Sequence, residues 1–93
     1  MELLWDNKKN KWLKENRSIS FEAIAVAMDS NKILDILEHP NKDKYPDQIL
    51  ILMNINDYVY VVPAVIQGDG YFLKTIFPSR KYTELYLSNK KDG

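Results

Sequence analysis

Cysteine is absent from this 93-residue chain, so neither a disulfide nor a thiolate-bound metal can staple it, and the lone His39 cannot build a multi-histidine metal site. Glycine is scarce, with three in the chain, and the glycine patterns of a P-loop, a dinucleotide-binding turn and a serine nucleophile elbow are all missing. No stretch approaches the roughly 20 apolar residues of a membrane span. The start, Met1 to Asp6, lacks the cationic opening and apolar run of a secretory signal. These absences set aside the familiar hydrolase and cofactor classes. They predict no metal, no cofactor and no membrane partner, and they make the cytoplasm the expected compartment.

What is present is the composition of a folded chain, 45% hydrophobic and 28% charged, with room for one domain over residues 1–93. Thirteen basic and thirteen acidic residues cancel, which argues against a protein that coats nucleic acid through its overall charge. Their distribution is less even. Residues 1–17 carry five cations (Lys8, Lys9, Lys11, Lys14, Arg17) against three acids, and residues 18–47 carry six acids against three lysines. Residues 74–93 return to five cations against two acids. Basic ends flank an acidic middle, and if the ends meet in space they form one positive face.

Asp6 is placed to cap a helix over Asn7 to Glu15 with Trp5 and Trp12 as apolar anchors, and Ser20 to cap a second helix carrying Phe21, Ile24, Ala25 and Met28. Lys32 to Glu38 reads as a first strand. Gln48 to Ile55 and Tyr58 to Ile66 are β-branched and aromatic runs separated by Asn56-Asp57, a two-residue hairpin signal. A turn at Gln67 to Gly70 leads to a strand from Tyr71 to Phe77. Pro63 lacks a backbone donor, which predicts an edge, a bulge or a strand end near it. Ser79 caps a last helix from Arg80 to Leu87, and the tail from Ser88 to Gly93 is expected to fray. The sum is an α+β fold with two N-terminal helices, a four-stranded antiparallel sheet and a C-terminal helix.

The side chains suited to chemistry are basic and polar, of the kind that hold a phosphodiester for in-line cleavage of RNA. Arg80, whose planar fork matches phosphate oxygens, is the leading candidate, with Lys81 beside it and Lys74 adding positive potential. Glu84, four residues along the helix, is its alternative partner. His39 is the side chain whose ordinary pKa suits a proton shuttle near neutrality, and Tyr45 in the same loop can stack on a base. The two tryptophans are expected in the core, and Tyr58, Tyr60 and Tyr71 in cross-strand packing. An exposed strand edge or apolar groove would serve a protein partner equally well.

The order and spacing of Trp5-Asp6, Lys9-Asn10, Ser20-Phe21-Glu22-Ala23, the valine-rich strand and Ser79-Arg80-Lys81 resemble the BrnT-type toxins of bacterial toxin–antitoxin modules, within the RelE-like ribonuclease group. The resemblance covers most of the chain. It implies an endoribonuclease that arrests translation by cleaving mRNA, free or on the ribosome. It also implies a cognate antitoxin with a ribbon-helix-helix DNA-binding domain. By position, Arg80 and Lys81 match the family's basic pair and Tyr86 falls near its terminal tyrosine; Lys14 and Tyr86 join Lys74 and Tyr45 as expected RNA contacts. Asp47 or Gln48 stands where relatives carry an arginine, and Pro63 or Ala64 where they carry a histidine. A catalytic set of His39, Arg80 and Lys81 would compensate; a non-catalytic protein-binding module of the same fold is the alternative.

Overall fold

The computed structural model describes residues 2–88. They run in the order β1 (Leu3–Trp5), α1 (Asn7–Arg17), α2 (Phe21–Asp29), β2 (Ile33–Glu38), β3 (Gln48–Ile55), β4 (Tyr58–Gln67), β5 (Gly70–Leu73), β6 (Phe77–Pro78) and α3 (Arg80–Leu87). The α+β class and the three helices are as expected. The sheet is not the expected four antiparallel strands: among the described residues it has six, in the order β1-β5-β4-β3-β2 with β6 also on β4, and β1 lies parallel to β5. The expected tail lies outside the described residues, apart from Ser88.

Local chemistry sets the helix ends. Asp6, Ser20 and Ser79 each turn a side-chain oxygen to a free N–H in the first turn, those of Lys8, Ala23 and Tyr82. Helix α1 runs two residues further than expected and stops at Ser18, whose φ of 54° is left-handed. The hairpin between β3 and β4 turns on Asn56 and Asp57, both with positive φ, as a twisted two-residue turn requires.

Alternation along the strands divides the core between the two faces. Ile51, Met53, Val62, Ala64 and Leu73 point to one face and pack with Leu13, Phe21 and Ile24 of α1 and α2. Leu50, Leu52, Val59 and Val61 point to the other, where Tyr82, Tyr86 and Leu87 of α3 cover them. Trp5 half-buries its ring against Phe21, with centroids 5.5 Å apart. Trp12 departs from the expectation of a core anchor: Asn10 and Leu13 fill the buried face of α1, and Trp12 points out, 41% exposed.

The strand expected over Tyr71 to Phe77 is broken in two. Leu73 pairs with Ala64 and Phe77 with Val61, so four steps on one chain match three on β4 and Lys74 to Ile76 bulge away. Pro63 explains the place of the break. It is buried in the interior of β4, and its carbonyl accepts the Lys74 N–H at 2.8 Å on the β5–β6 side. The N and C=O of an extended residue point the same way, so the missing donor faces the bulge rather than a continuous ladder.

Candidate nucleic-acid interface

The basic first helix touches the segment that leads to α3. Arg17, at the last turn of α1, donates from Nη1 to the carbonyl oxygen of Ile76 at 2.7 Å, across 59 residues of sequence. That bond seats a helix bearing five cations against the bulge that leads from Lys74 through β6 to Arg80 and Lys81. Arg17 also lies over the Trp12 ring, 4.9 Å from its centroid, and Lys9 Nζ lies 4.4 Å from the same ring.

Arg80 and Lys81 open α3 on its exposed side. Thr83 fixes the position of the helix: its hydroxyl donates to the Ser79 carbonyl at 2.7 Å and accepts the Val59 N–H at 2.8 Å. Arg80 Nε stands 3.7 Å from Glu84 Oε2, the alternative partner suggested by spacing, and both side chains are largely in water, where such a pair contributes about 0–1 kcal/mol. Lys81 extends over the Tyr82 ring and Lys74 over that of Phe72, each with its ammonium exposed.

The remaining candidates lie elsewhere. His39 continues the β2 ladder through its N–H to Gln48, accepts the Asn41 N–H on Nδ1 at 3.0 Å and tilts against Tyr45, with centroids 4.5 Å apart. Gln48 is opposite Val65 and Pro78 opposite Tyr60. His39 and Arg80 are therefore at opposite ends of β4, separated by about 17 Å along the strand at ~3.3 Å per residue. The same loop borders an open hollow of about 400 Å³ lined by Glu38 and Asp47 as well as Lys42, a poor setting for a polyanion. Lys14 turns to Glu22, 3.7 Å away, at a hollow of about 510 Å³ shared with Ser18, Ser20, Asn56 and Tyr60.

Tyr86 is engaged with the protein itself. Its hydroxyl donates to Asp35 Oδ2 at 2.6 Å, and that bond, with partial burial and the Asp35 charge, holds its pKa above the ordinary value. Glu22 is shifted the other way, chiefly by the hydrogen bond from Asn10 Nδ2 at 2.8 Å.

Sequence reasoning missed two residues of this surface, Trp12 and Arg17. The signal was available in the helical phase: Asn10 and Leu13, three residues apart, define the buried face of α1, and Trp12 falls outside it. No protein-family model, curated protein or solved structure matches this chain.

Proposed function

We propose that this protein is the toxin of a two-component module. In this reading it is a metal-independent endoribonuclease that acts on mRNA in the cytoplasm and is restrained by a ribbon-helix-helix antitoxin. The observation that carries the reading is the 2.7 Å bond from Arg17 to Ile76, because it brings the basic first helix up to the segment that runs from Lys74 to Arg80 and Lys81, cations suited to a phosphodiester backbone. At the start of α3 Arg80 offers two N–H groups to phosphate oxygens, and Lys81 and Lys74 strengthen the local positive field. Attack by a ribose 2′-hydroxyl forms the P–O2′ bond and breaks the P–O5′ bond, leaving a 2′,3′-cyclic phosphate and a 5′-hydroxyl. Charge on the pentavalent phosphorus is the quantity Arg80 stabilises. His39 is too distant to share the reaction with Arg80; in this reading Glu84, 3.7 Å from Arg80 Nε, takes the 2′-hydroxyl proton and a solvent water gives one to the leaving 5′-oxygen.

The test is inducible expression of the wild type and Arg80→Ala in a bacterial host, following growth and RNA integrity. Arrest with fragmented mRNA for the wild type, and growth with intact RNA for a folded Arg80→Ala protein, is the expected pair. Undiminished toxicity of the variant removes Arg80 from the mechanism.

A second reading, a non-catalytic protein-binding module, is favoured by the surface of α2. Val26 is 66% exposed there, and a mostly apolar hollow of about 380 Å³ is lined by Leu3, Trp5, Ala25, Met28 and Ile33 together with Asp29. That reading expects partner-dependent stabilisation and no RNA cleavage at any dose.

A further inference from the structure

We infer that the exposed side of α1 around Trp12 is a stacking platform for single-stranded RNA. The inference rests on the RNA-directed reading above and adds where the strand is held and in what form. Trp12 does not fill the core: the buried side chains of α1 are Asn10 and Leu13, and the indole is 41% exposed. Its surroundings are cationic. Lys9 and Arg17 contact the ring, Lys8 and Lys11 are exposed on the same helix, and Glu15 is the single acid within α1. An aromatic surface set among cations that track a backbone is the arrangement that binds single strands, because every unstacked base offers a π-face while a duplex hides its own.

Continuity supports the same occupant. Arg17 touches the Trp12 ring and the Ile76 carbonyl at once, so the platform adjoins the chain segment that ends at Arg80 four residues later. A base resting on Trp12 displaces the Lys9 ammonium from the ring toward a phosphate. That exchange keeps the cation paired and replaces a cation–π contact with a stack.

The probe is a short single-stranded RNA of mixed sequence with 2′-O-methyl groups, which cannot attack its own phosphates, compared with the same sequence as a duplex and with polyglutamate. Trp12 fluorescence reports binding; Trp5, half-buried against Phe21, serves as the internal reference. The single strand is expected to quench Trp12, and Trp12→Ala to weaken its binding about tenfold, read by anisotropy of a labelled strand. Trp12→Phe restores most of the affinity, and duplex binding is unchanged. Equal quenching by polyglutamate, or single-strand affinity unaltered in Trp12→Ala, overturns the inference. If Arg80-dependent cleavage persists in that case, the ribonuclease reading survives without it; if Trp12-dependent binding is found but no RNA is ever cleaved, the reverse holds. A wild type that binds neither form overturns both.

Discussion

Asn10 is 4% exposed, and both ends of its amide are engaged: Oδ1 accepts the Phe21 N–H and Nδ2 donates to Glu22, each at 2.8 Å. Through it the segment Trp5 to Asn10 is tied to Ser20-Phe21-Glu22 in one structural clasp between α1 and α2. Replacing Asn10 with Ala strands the Phe21 N–H in a buried place and is expected to cost about 1–3 kcal/mol, measured by urea unfolding. A variant as stable as the wild type would show that water or a neighbour satisfies that donor. At this scale the sequence was readable where the interaction was local. The caps Asp6, Ser20 and Ser79 act within three residues, and the Asn56-Asp57 turn is complete in itself. Trp12 was misjudged because its spacing from Trp5 suggests a shared face, whereas Trp5 belongs to a strand.

Among the elements, β1 and the β5–β6 break were the parts that sequence did not disclose. A three-residue strand has too few alternations to announce itself, and its partner lies about seventy residues away, Leu3 opposite Tyr71. Gly70 makes that pairing possible: a Cβ there would stand 1.9 Å from the Glu2 carbonyl oxygen, which accepts the Tyr71 N–H at 2.8 Å. Gly70→Ala should therefore push β1 off the sheet, destabilising the protein by about 1–3 kcal/mol and exposing the Tyr71 amide to hydrogen exchange. Unchanged protection at Tyr71 would mean that β1 adjusts around the methyl group.

Helix α3 is attached by few side chains, and one of them titrates. The folded protein holds the Tyr86 proton more tightly than the unfolded chain does, because the hydroxyl donates to Asp35. The contribution is thus complete below the ordinary tyrosine pKa of about 10 and is lost as pH rises through the folded value. Stability measured from neutral pH into the alkaline range should fall more steeply above about pH 10 for the wild type than for Tyr86→Phe. Parallel curves would remove this bond from the docking of α3.

Over the whole molecule, charge is sorted by place. The basic first helix and the basic approach to α3 touch at Arg17 and Ile76, while the loop of His39 and Tyr45 lies with Glu38 and Asp47 at the far end of the sheet. The order of charges along the sequence announced the segregation, and only the fold could say which segments touch. The same fold separates His39 from Arg80, a pairing that linear sequence left open. The proposed activity is RNA cleavage by 2′-hydroxyl attack with Arg80 at the phosphate. The most direct measurement incubates the purified, folded protein and its Arg80→Ala variant with RNA, with and without translating ribosomes, in the presence of a chelator, and identifies the termini formed. The account predicts 2′,3′-cyclic phosphate and 5′-hydroxyl ends from the wild type and none from Arg80→Ala; intact RNA under every condition, or the same ends from both proteins, would contradict it.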